Sequence, residues 1–385
     1  MINAMLSSYL AQTDKEMTMT EAPDPARMIP DPTAGLEGVV AATTKLSHVD
    51  GENGILILRG KRIEDLAGKA PFETAVRHLW QDFDIAGGAA LQAVFGQARI
   101  AAFAAVPLLE DAAPELSVFE RMQLGLAALP LKGDLPDAVA IAGALPVFLA
   151  ASHRIASGRV PVAPDNTLET ATDLLRMLTG ALPPDGHAAA LNRYLVTILD
   201  HGLNASTFTA RVIGSTQANL KQAVLGAMGA LSGPLHGGAP GPVLDMIDAI
   251  GQPENAQAWI GEALARKERL MGFGHRIYRT RDPRADVLKA GLKLLGPDNP
   301  KVRLAEDIET AALAALKRAK PDRPLETNVE FYTAVLLDAI GIDRTLFTPL
   351  FATGRTPGWC AHVLEQRQTG KLIRPSSRYV GPQAG

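Results

Sequence analysis

The sequence predicts a mainly α-helical fold with many helices and a small amount of β-structure near the N-terminus. Two observations support this class. From about residue 66 onward, apolar residues recur with the 3.6-residue period of amphipathic helices, in segments separated by Pro and Gly clusters. The β-branched and apolar runs are concentrated before residue 61, and no alternation of strands with helices follows them.

A short hairpin or a pair of small strands is predicted between residues 35 and 66. Its clearest part is the apolar run Ile55–Leu58, which lies between Gly54 and Gly60. Apolar and β-branched runs bounded by glycines are typical of short strands joined by turns.

The helices that follow are predicted from their apolar stripes. Apolar residues keep a helical period across 191–199 and 220–231. Pro242 occupies a first-turn position of a helix that Gly251 would end. The same period recurs at 253–271 and 302–318.

Length and composition set the class of protein. The 385-residue chain is long enough for two domains, and its 47% hydrophobic and 21% charged residues are those of a soluble globular protein. A net charge of −3 gives no reason to expect nucleic acid or an anionic membrane as a partner. Cys360 is the single cysteine, which excludes an intrachain disulfide framework and suits a reducing cytosol. One thiol and eight scattered histidines also predict no metal site.

A cytoplasmic location is predicted. No run of about 18 uninterrupted apolar residues suggests a membrane span. Residues 1–30 are predicted to be a polar, flexible lead-in, in which acidic residues precede the first arginine, Arg27. Secretory leaders begin with basic residues and mitochondrial leaders are arginine-rich and poor in acids, so neither is expected.

Three short segments each contain one group suited to proton transfer: His236 in Gly233–Ala239, His275 in Gly272–Arg284, and Glu330 in Asn328–Tyr332. The middle segment also has four arginines within nine positions of its histidine: Arg276, Arg279, Arg281 and Arg284. Imidazole and carboxylate groups suit general acid–base chemistry, and guanidinium groups bind carboxylates and phosphates bidentately. Together they predict carbon–carbon bond chemistry on an anionic substrate.

Each motif alone also has a purely structural explanation. His236 suits a helix-terminating turn, the arginines suit a solvated face, and Glu330 suits the positive end of a helix dipole. A hydrolase oxyanion loop would require a Gly-x-Ser-x-Gly elbow, which the sequence lacks. Gly272-Phe-Gly274 lacks the third glycine and the preceding strand of a dinucleotide fingerprint.

In combination, these segments resemble citrate synthases. The order His-Gly-Gly-Ala, then Gly-x-Gly-His with Asp-Pro-Arg, then Asn-Val-acid is similar to the family pattern. Further segments match it as well: Gly35–Ala41, Leu58–Leu66, Asp200–Arg211, Phe351–His362 and Leu372–Pro375. The resemblance therefore covers about residues 33 to 382.

The resemblance implies a multi-helix fold with a large and a small domain and an active-site cleft between them. The large domain would comprise residues 31–236 and 341–385, and the small domain residues 237–340. The family condenses acetyl-CoA with oxaloacetate and hydrolyses the citryl thioester, so the implied activity is an acyl transfer of the tricarboxylic acid cycle. Neither a metal nor a permanently bound cofactor is implied, because the coenzyme A thioester is a co-substrate.

Three catalytic roles follow from the resemblance. His236 would hydrogen-bond the thioester oxygen, His275 would donate to the oxaloacetate carbonyl, and Glu330 would remove the α-proton as the base.

The resemblance also implies a set of substrate-binding residues. The implied oxaloacetate ligands are His201, Arg284, Arg355 and Arg374, and Arg279 is a candidate for a CoA phosphate. Arg374 would reach the site from the second subunit of a homodimer.

Two positions depart from the family pattern: Glu330 stands where Asp is typical, and Gly202 stands where Glu usually follows the histidine. A Glu base is chemically competent, because its unperturbed pKa is close to that of Asp. Three functions therefore remain open: citrate synthase, 2-methylcitrate synthase acting on propionyl-CoA, and a low-activity paralogue with a binding or regulatory role. One methylene in an apolar pocket changes binding by only about 1–3 kcal/mol, so the sequence does not separate the first two.

Overall fold

A computed structural model describes residues 35–36, 38–83, 85, 90–131, 136–237, 240–275, 277–296, 299–321, 325–379 and 381–382. The chain divides into two units, Met1–Thr43 and Thr44–Gly385. In the first unit, the backbone N–H of Val39 donates to the carbonyl of Leu36 at 3.0 Å. The predicted lead-in, residues 1–30, lies outside the described residues. The domain boundaries expected near residues 236 and 340 stay predictions.

The predicted hairpin is present and is part of a three-stranded antiparallel sheet. Strand β1 is Ser47–Asp50, β2 is Ile55–Leu58 and β3 is Lys61–Arg62, in the spatial order β1-β2-β3. Leu56 and Leu58 on β2 are fully buried, so one face of this small sheet packs onto the helices.

The described residues form sixteen α-helices: α1 Ile63–Leu66, α2 Phe72–Leu79, α3 Leu91–Phe103, α4 Val106–Glu110, α5 Val118–Ala128, α6 Asp137–Ala156, α7 Thr170–Thr179, α8 His187–Thr197, α9 Ala205–Ser215, α10 Leu220–Leu231, α11 Pro240–Ile250, α12 Pro253–Ala265, α13 Pro283–Leu292, α14 Pro300–Ala319, α15 Val329–Ala339 and α16 Phe347–Thr369. Two 3₁₀ turns lie at Lys293–Leu295 and Arg344–Leu346. The mainly α-helical prediction is confirmed.

The predicted helices are found with small differences at their ends. Helix α11 ends directly before Gly251, whose φ of 69° lies in the left-handed region that favours glycine at a helix end. Helix α12 was expected to continue to Met271 but ends at Ala265. The chain turns there because Lys267 adopts a φ of 61°, which an α-helix does not tolerate.

Helix α6 lies at the centre of the core and packs against α3, α5 and α7. By length and composition it could cross a membrane, but 78% of its apolar window is buried inside the protein. Its apolar surface is therefore satisfied by neighbouring helices, as expected of the core helix of a globular protein.

Helix α16 packs against α6, α9 and α10 and passes close to the end of α8. A Cβ at Gly358 would lie 2.2 Å from the carbonyl oxygen of Leu199, and a Cβ at Gly354 would lie 2.6 Å from Ile198. These two glycines, one helical turn apart, allow the helix backbone to approach residues 198–200 closely. This contact sets Arg355 beside the loop that carries His201.

Candidate active site

His201 lies in a short turn between α8 and α9. Asn204 caps α9 by accepting a hydrogen bond from the backbone N–H of Thr207 at 3.1 Å, which fixes where the turn ends. The imidazole is 8% exposed. Burial and the charges of nearby arginines hold the pKa of His201 well below its ordinary value, so the ring is neutral at physiological pH.

A buried polar network supports this turn through Asp200. Arg211 donates from Nε to Nδ1 of His362 at 2.9 Å, so His362 carries its proton on Nε2 and donates to Asp200 at 3.1 Å. The hydroxyl of Ser47 donates to the same carboxylate at 2.5 Å and accepts from the N–H of Gly202. Burial opposes ionisation of Asp200, but its interaction with His362 lowers its pKa to about 2. The carboxylate is therefore a permanent anion behind the turn.

Arg355 is a buried cation close to the turn that carries His201. Its Nε donates to the carbonyl of Ile198 at 2.5 Å, and its guanidinium lies over the ring of Phe351 at 4.7 Å. The residue is 1% exposed, and no ion pair joins it to a carboxylate anywhere in the described part of the chain. Burial lowers its pKa to about 10, which still leaves it protonated at neutral pH. A buried, unpaired guanidinium is costly to a fold and suits the binding of an anion.

His236 lies in the turn after α10, with its Nε2 2.9 Å from the hydroxyl of Ser206. Ser206 also accepts from Nε1 of Trp359 at 3.2 Å and lies 2.8 Å from Oδ1 of Asn204. The serine hydroxyl has one proton, which either Asn204 or His236 can accept. Its orientation therefore determines which imidazole nitrogen of His236 carries the proton. Burial and Arg355 lower the pKa of His236, which favours the neutral ring.

The Gly-Phe-Gly segment before His275 pairs with the chain just before Glu330. The N–H of Gly274 donates to the carbonyl of Glu326 at 2.7 Å, and the N–H of Asn328 donates to Gly272 at 3.0 Å. Both glycines have positive φ, 84° and 80°, and a Cβ at Gly272 would lie 2.8 Å from Phe331. Glycine is thus required for the close contact between the two segments that carry His275 and Glu330.

The hydrogen bonds of His275 fix its tautomer. Its Nδ1 accepts from the backbone N–H groups of Ile277 at 2.9 Å and Tyr278 at 3.1 Å, so the proton of the neutral ring lies on Nε2. Burial and Arg284 lower its pKa to about 4. Nη2 of Arg284 lies 3.3 Å from this Nε2. Both groups are donors, so an oxygen atom that lies beside this pair of nitrogens can accept from both.

Arg284 is buried and is paired with its own carboxylate. Its Nε and Nη2 donate to the two oxygens of Asp282 at 3.0 and 2.8 Å. Burial disfavours the charged guanidinium, but the ion pair with Asp282 outweighs this and raises the pKa of Arg284. Asp282 also accepts from the N–H of Val329 at 3.1 Å, so the pair is anchored to the start of α15.

Glu330 is the second residue of α15 and is half-buried. Asn328 caps the helix by accepting from the N–H of Glu330 at 3.0 Å. The carboxylate makes no hydrogen bond or ion pair with another described residue. Burial raises its pKa, although Arg284 and Arg269 act in the opposite direction. A partly desolvated carboxylate without a partner suits a general base.

Comparison with known proteins decides the family. A family model described as "Citrate synthase, C-terminal domain" matches residues 35–376. The chain belongs to the citrate synthase family.

Relatives and solved structures agree with this citrate synthase assignment. The putative citrate synthase 2 of Mycobacterium tuberculosis is 41% identical over 361 residues, which cover 90% of this chain and 92% of that protein. A 2-methylcitrate synthase of the same organism is 36% identical, with 91% of each chain covered. The ternary complex of Thermoplasma acidophilum citrate synthase with carboxymethyl coenzyme A and oxaloacetate superposes with a TM-score of 0.81, at 26% identity, over 93% of this chain and 98% of that one.

Two predicted substrate-binding residues of this citrate synthase family member, Arg279 and Arg374, make no side-chain hydrogen bond or ion pair with the other candidate site residues. Arg279 is exposed, and its backbone N–H donates to the carbonyl of Gly51 at 2.8 Å. Arg374 is exposed in the segment after α16, and no hydrogen bond or ion pair connects it to another described residue. Their predicted roles stay predictions. Arg276 lies outside the described residues.

Sequence reasoning gave no role to Tyr278, which lies at the centre of the site. Its hydroxyl is 3.1 Å from Nε2 of His201, and its ring lies 4.8 Å from that of His275 and 5.8 Å from the guanidinium of Arg284. Its spacing of three residues after His275 is part of the family pattern, so a signal was present in the sequence. Its contact with His201 was not predictable, because 77 residues separate the two.

Glu309 is a second residue that the sequence did not indicate. Its oxygens accept from Thr327 at 2.6 Å, Tyr332 at 2.5 Å, Lys289 at 2.8 Å and Arg281 at 3.1 Å. Burial opposes its ionisation, but the hydrogen bonds from these partners lower its pKa to about 2. Since Thr327 and Tyr332 flank Glu330 in sequence, Glu309 anchors the segment that carries the candidate base.

The described residues contain no group of three or more His, Cys, Asp or Glu side chains that could hold a metal ion. The charges that converge on the site are instead two arginines, Arg284 and Arg355, together with Glu330.

Proposed function

We propose that the protein condenses acetyl-CoA with oxaloacetate and hydrolyses the resulting citryl-CoA to citrate and CoA, as an acyltransferase. One observation carries this proposal: the buried guanidinium of Arg355, which no ion pair joins to a carboxylate among the described residues, lies near the two neutral imidazoles of His201 and His236. Such a site requires an anion that also offers oxygens to hydrogen-bond donors. A keto-dicarboxylate satisfies both requirements.

Oxaloacetate is held by charge and by directed donors in this proposal. Arg355 binds one carboxylate through its terminal nitrogens, and Arg284 and His201 complete the oxaloacetate site. The ketone oxygen accepts from Nε2–H of His275, whose tautomer the backbone already sets. Because these donors are fixed before the substrate arrives, little reorganisation is needed as negative charge develops on that oxygen.

The chemical steps use the two remaining groups. Glu330 removes a proton from the methyl carbon of the thioester, and the thioester oxygen accepts from Nδ1–H of His236. The Ser206 hydroxyl directs its proton to Nε2 of His236 in this state, which leaves the ring proton on Nδ1. The enol carbon then attacks the ketone carbon, and the new alkoxide takes the Nε2 proton of His275. Net return of the proton that Glu330 removed restores neutral His275 and the free carboxylate. Water hydrolyses the citryl thioester and releases citrate and the CoA thiol.

The remaining parts of the proposal concern assembly. A large domain of residues 31–236 and 341–385 and a small domain of residues 237–340 enclose the cleft, which closes on oxaloacetate to exclude water. The protein acts in the cytoplasm as a homodimer in which Arg374 of one subunit reaches the carboxylates bound by the other. Arg279, exposed near the site, binds a phosphate of CoA.

A second candidate substrate is propionyl-CoA, which would give 2-methylcitrate. The similarity to a 2-methylcitrate synthase at 36% identity favours testing it. The mechanism is unchanged, since the proton is then taken from the methylene carbon next to the thioester. Only the size of the acyl pocket differs.

The test is thiol release by the purified protein with oxaloacetate and either acetyl-CoA or propionyl-CoA. A higher kcat/KM with acetyl-CoA supports the proposal, and a higher value with propionyl-CoA moves the assignment to the second candidate. No release with either thioester, together with measurable binding of oxaloacetate, would identify a paralogue with a binding role. Omission of oxaloacetate is the control for simple thioester hydrolysis.

A further inference from the structure

Tyr278 contacts both imidazoles on which the oxaloacetate site depends. It is 3% exposed, and its hydroxyl lies 3.1 Å from Nε2 of His201. Its backbone N–H donates to Nδ1 of His275 at 3.1 Å. One residue therefore touches opposite nitrogens of two histidines.

These two contacts have opposite consequences for the proton positions. His275 receives a donor on Nδ1, so its own proton lies on Nε2. His201 receives the phenol on Nε2, and no hydrogen bond joins its Nδ1 to another described residue. When the phenol donates, the proton of the neutral His201 ring lies on Nδ1.

The surroundings of Tyr278 favour the phenol as the donor. The charged groups whose fields reach it are Arg284, Asp282 and Glu64, and burial is the main reason that its pKa is raised above the ordinary value. The phenol consequently keeps its proton across the physiological range. His201, neutral and buried, offers a lone pair on Nε2 to receive it.

We propose that Tyr278 is a positioning residue that selects the Nδ1–H tautomer of His201 and thereby directs that proton to a carboxylate of oxaloacetate. The inference rests on the proposed function and adds a residue to it. Without the phenol, the ring divides between two tautomers, and the one with a bare Nδ1 faces the substrate carboxylate with a lone pair. Binding of oxaloacetate weakens as a result, whereas the site of thioester activation at His236 is untouched.

The contact also joins two parts of the chain. His201 belongs to the proposed large domain and Tyr278 to the proposed small domain. A phenol–imidazole hydrogen bond between them therefore forms part of the cleft when the two parts meet.

The experiment compares wild type with Tyr278→Phe, which keeps the ring and removes the hydroxyl. The KM for oxaloacetate is expected to rise roughly three- to tenfold, the range for one lost hydrogen bond between neutral groups. The KM for acetyl-CoA and the melting temperature should change little. Tyr379→Phe is the matched control, because that hydroxyl is exposed and bonds to the carbonyl of Pro382.

A double-mutant cycle shows whether Tyr278 acts through His201. In a His201→Ala background, Tyr278→Phe should produce no further change in the KM for oxaloacetate. An equal rise in both backgrounds overturns the inference, and so does a rise of less than twofold in the single variant. A joint change in both KM values and in thermal stability also overturns it, because that result indicates a merely structural role.

The wild-type enzyme separates this inference from the proposed function. If wild type neither binds oxaloacetate in calorimetry nor releases thiol, the proposed function is what fails. If wild type does both and Tyr278→Phe is indistinguishable from it, the proposed function stands and the role of Tyr278 is rejected.

Discussion

The two buried arginines of the site are held in opposite ways. Arg355 lies on a long core helix and has no carboxylate partner among the described residues, whereas Arg284 is paired with Asp282 at the start of a shorter helix. In the first region, residues 198–211 with helix α16, the guanidinium of Arg355 is buried and donates to the carbonyl of Ile198. The second region consists of residues 272–284 with 326–332. There the guanidinium of Arg284 is held in place by its ion pair with Asp282.

The supports behind the two regions differ in the same way. A relay from Arg211 through His362 to Asp200 lies within packed helices of the first region. In the second region, paired backbone segments and the single carboxylate of Glu309 hold the loops. The charge without an ion pair therefore lies among packed helices, and the charge with an ion pair lies where a loop meets the start of a helix. Variants of each region should separate the costs to stability from the costs to function.

The largest effect is expected at the candidate base. Glu330→Gln keeps the shape of the side chain and removes the proton acceptor, so kcat should fall about 10²–10⁴-fold. Melting temperature and oxaloacetate binding should stay close to wild type, because the carboxylate has no partner among the described residues. Glu330→Asp should leave measurable activity. Glu254→Gln, an exposed position on α12, is the control, and full activity in Glu330→Gln would show that another group is the base.

The two arginines should give matched losses of binding and unequal losses of stability. Arg284→Met and Arg355→Met are each expected to raise the KM for oxaloacetate roughly 100-fold, since each removes charge-assisted hydrogen bonds. Arg284→Met leaves Asp282 buried and uncompensated, which should cost about 3–5 kcal/mol of unfolding free energy. Arg355→Met removes a buried charge that has no ion pair, but it also removes a favourable field on the buried carboxylate of Asp200, so its loss of stability should be smaller than that of Arg284→Met. Equal destabilisation of both variants in urea denaturation would contradict this comparison.

Substitution of Glu309 tests how strongly this carboxylate holds the second region in place. Glu309→Gln should cost about 2–3 kcal/mol at neutral pH, because it weakens hydrogen bonds to two cations. The folded-state pKa of Glu309 is depressed to about 2, so its contribution is present above the ordinary value of 4.5 and is lost as pH falls from there toward 2. Denaturation of wild type and variant should therefore converge at low pH. A constant difference at all pH values would mean that shape rather than charge is responsible.

The pH dependence of kcat should report the burial of Glu330. Its pKa is raised above 4.5, whereas His275 takes up a proton only near pH 4. As pH falls, Glu330 is therefore neutralised first and the base is lost. Thioester cleavage measured across pH should show an acidic limb with its midpoint above 4.5. A midpoint at or below that value would indicate a solvated carboxylate.

The smallest effect is expected at Gly202, where the sequence departs from the family pattern. Its φ of 62° is left-handed, and a Cβ there would meet its nearest neighbour, Val49, only at 3.7 Å. Gly202→Ala should therefore cost about 1–2 kcal/mol for backbone strain and nothing for a clash. Gly202→Asn, which tolerates this conformation, should cost less. Equal melting temperatures for all three proteins would show that the turn adjusts its backbone.

The fold class was predictable from local patterns, and the same patterns indicated the candidate site residues, whose roles stay predictions. Helix periodicity located α10 and α14, and short glycine-rich segments singled out His236 and His275 as candidates for proton transfer. The partners of these groups were not predictable, because they lie far away in sequence: Asp200 is bonded to Ser47 across 153 residues. The ion pair of Arg284 with Asp282 was not predictable from the sequence for a different reason. Two residues of opposite charge in a capped turn have many side-chain arrangements, and packing selects among them.

The hairpin formed by β1 and β2 has a consequence for the folding of this protein during its synthesis. The carbonyl of Gly51 in its turn accepts a hydrogen bond from the N–H of Arg279, and Ser47 on its first strand donates to Asp200. Just before the hairpin, the N–H of Lys45 donates to Glu365, 320 positions later in the sequence. These strands leave the ribosome early, but their partners are synthesised late. The hairpin must therefore wait for nearly the whole chain, and such long-range pairing slows folding. The geometry of the candidate site is therefore expected to form only after most of the chain has been synthesised.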